Sequence, residues 1–187
     1  MSSNGDTIFT GLNIVVTTIA VVVAGIAIKV QQYYQKKQFD RDAMIDVFGM
    51  LNNSQHKFSE NSIIDIFKTN NLYNVGILNP AVEESATTVW RNYDQIGLLV
   101  ERGLVPKNDI FHMFGKIVIV SHWVLFQELK RRRLLGESDF MTNFTHLAID
   151  CYNYWKNKGK DRLPREPQGN TVITESSINQ WKESLPK

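Results

Sequence analysis

The chain of 187 residues contains one cysteine and none of the common short motifs of catalytic sites. No P-loop, GxGxxG, HExxH, CxxC or GxSxG pattern occurs, so the sequence has no signature for binding phosphate, dinucleotides or zinc, or for a nucleophilic serine. Cys151 cannot form an internal disulfide, which indicates a reducing compartment. These absences predict no cofactor, no identifiable small-molecule substrate and no catalytic residue.

The chain also has little excess charge of either sign. Its 21 Lys and Arg residues nearly balance 19 Asp and Glu residues, which leaves a formal net charge of +2. Proteins that grip nucleic acid along a whole face are much more basic, and no basic platform interleaved with aromatic residues is present. The composition therefore predicts no nucleic-acid partner.

One long apolar run lies near the N-terminus. Residues 7–28 read TIFTGLNIVVTTIAVVVAGIAI and contain no charged side chain. As a helix with a rise of about 1.5 Å per residue, the run extends about 33 Å, which is enough to cross the hydrocarbon core of a bilayer. A lone strand would leave its backbone amides unpaired in lipid. The sequence therefore predicts a transmembrane helix over residues 7–30, after a short extracytoplasmic segment of residues 1–6, with the lipid bilayer as its partner.

The charges on either side of this run predict its orientation. Asp6 precedes the run and no Lys or Arg lies N-terminal to it, which argues against a cleaved signal peptide. The residues that follow the run are basic: Lys29, Lys36, Lys37 and Arg41. The positive-inside rule assigns this flank to the cytoplasm. We therefore expect a single-pass protein of the cell membrane, with its N-terminus outside and its C-terminal domain in the cytoplasm.

The remainder of the chain has helical patterns. No early helix breaker follows the span, so we expect it to continue as a helical stalk over residues 31–58. A small cytosolic helical bundle is predicted over residues 59–159, with Ser59 as the N-cap of its first short helix. Residues 160–187 are expected to form a polar tail with a short helix around Trp181. These assignments predict an all-α fold.

Three long helices form the predicted bundle. Asn79 and Pro80 have the residue types of an N-cap and a first helical position, and Gly103 is typical of a helix end. Between them, apolar residues recur every three or four positions and predict a buried stripe: Val82, Ala86, Val89, Tyr93, Ile96 and Val100. Pro106 begins the next helix, which is apolar nearly all round. We expect that helix to be the most buried one rather than a second membrane span, because charged and polar residues interrupt it.

The last long helix is predicted to begin with Ser138 as its cap and to end at Gly159. Its apolar face includes Cys151, which we expect to be a buried free thiol.

Two carboxylates and two arginines lie near the end of the first long helix, between apolar residues in the sequence. Asp94 and Glu101 are seven positions apart, so they lie on one helix face, which Arg91 and Arg102 flank. This face lies largely opposite the apolar stripe. A solvated face with weak local ion pairs is the expected use, a surface for a partner is another, and acid and base catalysis would need a second helix to close over it.

The clusters of basic residues and the histidines are the other candidate sites. The run Lys130, Arg131, Arg132 and Arg133 complements the carboxyl end of its helix, and it is also a candidate for contacts with anionic headgroups or a partner. The chain has four histidines: His56, His112, His122 and His146. They form no facing pair and lack the ExxH spacing of di-metal bundles, so the sequence predicts no metal site.

The stretch from Trp90 to Arg133 resembles an uncharacterised prokaryotic family of single-pass, N-terminally anchored helical membrane proteins. The matching features are Asn92-Tyr93, residues 96–100, Gly103, Trp123 and the arginines at positions 131–133. Asp94-Gln95 stands where the family pattern has a glutamate, which puts an acid-dependent role in doubt. The resemblance implies a topology and a fold, and it implies no activity or cofactor.

Taken together, these patterns predict a membrane-anchored, non-catalytic module for interaction, sensing or scaffolding, which binds protein partners or self-associates. One alternative is a small accessory subunit of a larger membrane complex. Another is a membrane-tethered, metal-dependent enzyme that uses Asp94, Glu101 and one of the histidines.

Overall fold

The computed structural model describes residues 3–70, 80–167, 169 and 171–186, and the side chains of these residues except those of 3–16, 69, 70 and 81. The described residues form six α-helices: α1 (Ser3–Asn52), α2 (Ser54–Asn70), α3 (Pro80–Glu101), α4 (Lys107–Leu134), α5 (Thr142–Lys158) and α6 (Glu175–Glu183). A short 3-10 helix, Lys160–Arg162, follows α5. The only isolated β-bridge within this part of the chain joins Arg165 to Val172. The predicted all-α class is confirmed.

Two compact units divide the chain, Met1–Asp42 and Ala43–Lys187. The division falls inside the predicted stalk of residues 31–58. The first unit consists of most of α1, and its described side chains are exposed from Thr17 to Phe39. The last turns of α1 belong to the second unit, where Val47 and Leu51 are buried. The helical bundle therefore includes residues that the sequence pattern assigned to a stalk.

The start of α2 lies before its predicted position. Asn53 interrupts the helical path after α1, and its side-chain oxygen accepts a hydrogen bond from the backbone N–H of Gln55 at 2.9 Å. This is the geometry of an N-cap, so α2 begins at Ser54. The predicted cap, Ser59, is wrong, because it lies inside α2 and is buried. The predicted cap Asn79 lies outside the described residues.

Helix α3 confirms the predicted pattern most closely. It begins at Pro80, and Gly103 after its end has a φ of 65°, which favours glycine. All six residues of the predicted stripe are buried, and Trp90, which the stripe did not include, is buried as well.

Helix α4 packs against α2, α3 and α5. Pro106 precedes its first turn, and twelve of its residues are buried, from Ile110 to Leu129. Among the residues whose side chains the structure describes, which exclude residues 3–16 of α1, one helix is long and apolar enough to cross a membrane: α4, with a mean hydropathy of 1.4 in its best window. In that window 56% of the helix is buried inside the protein. The expectation that α4 is the most buried helix is confirmed only in part, since 12 of its 28 residues are buried against 8 of 17 in α5.

Helix α5 begins four residues after its predicted cap. Ser138 lies in the turn before the helix, and the residue before the first turn is Met141, with a left-handed φ of 52°. The prediction of Ser138 as the cap is therefore wrong. Gly159, with a φ of 131°, ends the helix as predicted.

The predicted polar tail contributes to the core. Within residues 160–187, Leu163, Ile173, Ile178 and Trp181 are buried. The ring of Trp181 lies 4.3 Å from the ring of His122 in α4. Helix α6 therefore lies at the position of the expected short helix around Trp181, and it docks on the bundle through that residue.

A glycine allows α3 and α5 to approach each other closely. A Cβ atom on Gly97 would lie 2.3 Å from the backbone carbonyl oxygen of Asn143. Real Cβ atoms do not come so close to a backbone oxygen, so any larger residue must push α5 away. This approach also lets Asp94 of α3 contact the first turn of α5, beside the candidate site.

We predict that Gly97→Ala lowers the free energy of unfolding by about 1–3 kcal/mol, the usual cost of overpacking. The matched control is Gly49→Ala. Gly49 also lies in a helix, but it is exposed, and an added Cβ would have nothing within 4 Å. That change should leave stability unchanged or raise it by up to about 1 kcal/mol. Thermal unfolding of the full-length protein in detergent measures both, and equal stability of the two variants would contradict the close approach.

Candidate functional site

An open groove runs between the start of α2, the middle of α3 and the residue that precedes α5. Its volume is about 570 Å³, which lies in the usual range for a small-molecule site. Most of its lining is polar. The polar lining residues are Asn53, Gln55, His56, Thr88, Arg91, Asn92, Asp94 and Gln95, and the apolar ones are Leu98 and Met141. We call this cavity the α2–α3 groove.

A largely buried carboxyl group lies beside the floor of this groove. Glu60 Oε1 accepts a hydrogen bond from the Tyr93 hydroxyl at 2.5 Å and one from Ser121 Oγ at 2.9 Å. Burial raises the pKa of Glu60, and these two hydrogen bonds act in the opposite direction. Glu60 in α2 thus joins α3 and α4 through one oxygen.

His56 connects this carboxyl group to the groove. The side chain is only 1% exposed, and burial lowers its pKa to about 4, so the imidazole is neutral near pH 7. Its Nδ1 lies 3.0 Å from Asn92 Nδ2. Because an amide nitrogen can only donate, Nδ1 accepts and Nε2 carries the proton. Nε2 has no hydrogen-bond partner among the described residues and lies 3.9 Å from Glu60 Oε1.

These contacts form a polar chain through the bundle, which we call the Asn92–Glu60 chain. It runs from Asn92 through His56 to Glu60, and from there to Tyr93 and Ser121. The carboxyl group of Glu60 and the imidazole of His56 can exchange a proton only if they move closer together, since 3.9 Å is too long for a hydrogen bond. At this geometry the chain orders three helices beneath the groove, and it does not form an acid–base pair poised for catalysis.

The sequence pattern did not identify the Asn92–Glu60 chain. A signal was present, because the inward face of α2 carries polar residues at helical spacing. The buried positions of that face are His56, Ser59, Ile63 and Phe67, with Glu60 beside them. Placing the start of the helix at Ser59 removed His56 from the stripe and hid the pattern.

Asp94 does not lie on a simple solvated face. Its Oδ1 accepts a hydrogen bond from the backbone N–H of Phe144 at 2.9 Å, and its Oδ2 accepts one from Asn143 Nδ2 at 3.1 Å. Phe144 is the third residue of α5, and its N–H group usually donates a hydrogen bond to the side chain of the N-cap residue. Here Asp94 accepts that hydrogen bond instead. Met141 has no such side chain. The expectation of a solvated face with local ion pairs is therefore wrong for Asp94, since the residue caps α5 from another helix.

Glu101 is exposed and lies away from the groove. It lines a second cavity of about 370 Å³ together with Lys107, His146 and Asp150. Burial raises the pKa of Asp150, while the charges of Lys107 and His146 lower it. The structure thus places Asp94 and Glu101 in different surroundings, and it brings Glu101 close to one of the histidines.

Most side chains of the basic run bind other residues of the bundle. Arg131 donates two hydrogen bonds to Glu128, and Arg132 donates to Glu128 and, from α4 to α3, to Glu83. The guanidinium of Arg132 also lies 5.0 Å from the centre of the Trp90 ring. These contacts explain two cations of the run as intramolecular stabilisers.

Arg133 and Lys130 complete the run. Arg133 donates to the carbonyl oxygens of Phe140 and Met141, at 2.9 and 3.1 Å, and to Thr145 Oγ1 at 2.7 Å. It therefore holds the turn that precedes α5. Lys130 is exposed, so it is the member of the run whose position leaves most room for a headgroup or partner.

The four histidines are far from equivalent. His56 and His122 are buried, whereas His112 and His146 are exposed. His122 Nε2 lies 3.0 Å from Thr145 Oγ1, and burial together with the charge of Arg133 lowers the pKa of His122 well below its usual value. Within the described residues, no three His, Cys, Asp or Glu side chains are arranged to hold a metal ion.

Cys151 is buried and free, as the sequence indicated. Burial raises the pKa of the thiol well above its usual value, with a smaller contribution from Asp150. The reactive form of cysteine is the thiolate, so this residue lacks the environment of a nucleophile.

We predict that Asp94→Ala destabilises the protein by about 1–2 kcal/mol, because α5 loses its cap and the N–H of Phe144 loses its acceptor. Glu101→Ala is the matched control, since it removes an exposed carboxylate from the same helix. That control should change stability by no more than about 0.5 kcal/mol. Thermal unfolding followed by circular dichroism distinguishes the two, and an Asp94→Ala variant as stable as the control would contradict the cap.

The depressed pKa of His56 predicts a dependence of stability on pH. In the unfolded chain the imidazole has its ordinary pKa of 6.5, and in the folded state the pKa is about 4. Between these values the unfolded state binds more protons, so stability is fully present above about pH 6.5 and is lost as pH falls towards 4. We expect the unfolding temperature to fall between about pH 7.5 and about pH 5.

His56→Gln tests the origin of this loss, because glutamine keeps a polar side chain and removes the titrating group. The variant should lose less stability than the wild type over the same pH interval. His122 and Glu60 titrate in both proteins, so their contributions cancel in the comparison. An identical loss in both proteins would show that His56 is not responsible.

Comparison of the chain with protein-family models, with curated proteins and with solved structures finds no match. The resemblance to a family of anchored helical membrane proteins therefore stays a prediction.

Proposed function

We propose that this protein is a single-pass membrane protein, anchored through residues 7–30, whose helical bundle is a non-catalytic binding module. The observation that carries the proposal is the continuous apolar surface of α1. Seven isoleucine and valine side chains along this helix are exposed by 47% to 66%: Ile19, Val21, Val22, Val23, Ile26, Ile28 and Val30.

The energetic reason for a lipid partner is the cost of leaving these side chains in water. Full burial of one Val or Ile side chain is worth about 1.5–3 kcal/mol, so a run of them strongly favours an apolar environment. Helix α4 contrasts with α1, since its apolar side chains already pack inside the bundle. Transfer of α4 into lipid would gain little, and we therefore assign the span to α1.

The residues that follow the apolar surface support the proposed orientation. Tyr33 and Tyr34 are both exposed, and their rings pack edge to face at 5.7 Å. Aromatic residues are typical of the interface between membrane and water, and basic residues are typical of the cytoplasmic flank. Lys36 and Lys37 come directly after the tyrosines. This order favours an N-terminus outside and a bundle in the cytoplasm.

The α2–α3 groove supports binding as the activity of the bundle. It combines an open, polar lining with a buried titratable chain beneath it, which is typical of functional sites. Met141 at its edge has a left-handed backbone, a strained conformation for a residue with a side chain. The described residues around the groove include no activated nucleophile, so recognition is a better account of the site than chemical turnover.

Membrane retention tests the anchor. The wild-type protein should remain in the membrane fraction after alkaline carbonate extraction. Ile19→Asp places a charge inside the span at a cost of about 2.5–3.5 kcal/mol and should release a large part of the protein, whereas Ile19→Leu should behave as the wild type. Complete extraction of the wild-type protein would contradict the proposal.

A further inference from the structure

The side chains of the α2–α3 groove indicate what kind of ligand it takes. Arg91 is exposed at the groove, and no hydrogen bond or ion pair joins it to another residue in the described part of the chain. The arginines that stabilise the bundle are different. Arg131 and Arg132 each contact Glu128, and Arg133 contacts backbone oxygens. Arg91 thus offers its planar set of donors to the groove itself.

The carboxylate in the lining, Asp94, makes no ion pair with Arg91 in the described part of the chain. Both oxygens of Asp94 accept hydrogen bonds from the first turn of α5. Glu60 is largely buried, and its Oε1 accepts hydrogen bonds from Tyr93 and Ser121. Hydrogen bonds to α5 and to the core therefore hold these two carboxyl groups, whereas the guanidinium of Arg91 has no partner in the described part of the chain and is open to an anion.

The amide groups distinguish among anions. Gln55 and Gln95 are exposed on opposite sides of the groove, in α2 and α3. Asn92 is fixed by its hydrogen bond to His56, and its carbonyl oxygen has no described partner. This oxygen can accept a hydrogen bond, so it suits a ligand that carries a hydroxyl or amino donor as well as a negative charge. No Phe, Tyr or Trp lines the groove, which removes the stacking surface that a nucleobase would use.

We propose that the α2–α3 groove binds a small hydroxy- or amino-carboxylate, with Arg91 holding the carboxylate and the amides of Gln55, Asn92 and Gln95 holding its polar groups. A carboxylate matches the planar fork of a guanidinium through two parallel hydrogen bonds. The inference rests on the proposed function, because it names what the binding module takes.

The Asn92–Glu60 chain connects the groove to the core of the bundle. A ligand that engages the oxygen of Asn92 acts on the residue whose nitrogen is bonded to His56. Glu60, on the far side of His56, contacts α3 and α4 through Tyr93 and Ser121. Occupancy of the groove is thus linked to the packing of three helices.

The test uses the full-length protein in detergent and three probes at matched ionic strength: L-malate, its uncharged dimethyl ester, and inorganic phosphate. Isothermal titration should detect binding of malate and none of the ester. Phosphate should bind more weakly than malate, because its hydroxyl is on the same phosphorus as the oxygens that Arg91 would hold, whereas malate carries its hydroxyl on a separate carbon, nearer to the amides of the groove.

Arg91→Gln should weaken malate binding by at least about tenfold, the loss expected when one charged hydrogen-bond pair is removed. Arg102→Gln is the matched control, since Arg102 is also an exposed arginine, lies just after α3 and is outside the groove lining. It should bind malate as the wild type does.

Three results would overturn the inference: no binding of malate by the wild type, equal binding by the wild type and Arg91→Gln, or binding of phosphate that is tighter than that of malate. Failure of the inference is distinguishable from failure of the anchor, because carbonate extraction does not depend on the groove. A protein that stays in the membrane and ignores malate would keep the proposed anchor and lose this ligand.

Discussion

The close approach of α3 to α5 sets the geometry of much of the bundle. Gly97 leaves room for the backbone of Asn143, and this proximity puts Asp94 within reach of the first turn of α5. Since Met141 cannot cap the helix with its own side chain, the start of α5 depends on a carboxylate from another helix. Met141, which precedes this start of α5, lies at the edge of the α2–α3 groove.

Polar groups inside the bundle serve a purpose that apolar packing cannot serve. Glu60 joins three helices through defined hydrogen bonds, and His56 extends this connection to the wall of the groove. Burial of such groups is costly unless their hydrogen bonds are satisfied, so each bond restricts the arrangement of the helices. His56 Nε2 is an exception, since it lacks a hydrogen-bond partner in the described part of the chain. This unsatisfied donor belongs to a residue that lines the groove.

The sequence pattern predicted a helix well where the helix has one clear apolar face or a glycine at its end. The apolar stripe of α3 and the glycine ends of α3 and α5 depend on spacing and backbone conformation, which sequence letters express directly. Long-range contacts were not predictable in this way. Asp94 looked like a surface charge because its partners lie about fifty positions later in the chain. Residues around Trp181 looked polar on average, yet one buried aromatic ring docks the segment on His122.

The membrane span in α1 and the cytoplasmic position of the bundle are proposals that one measurement tests together. Accessibility of cysteines to a membrane-impermeant maleimide in intact cells measures this most directly, since the native thiol of Cys151 is buried and should not react. A cysteine at Ser3 should be labelled in intact cells, and a cysteine at the exposed Glu137 should be labelled only after the membrane is opened. Labelling of Glu137→Cys in intact cells, with Ser3→Cys protected, would contradict the account.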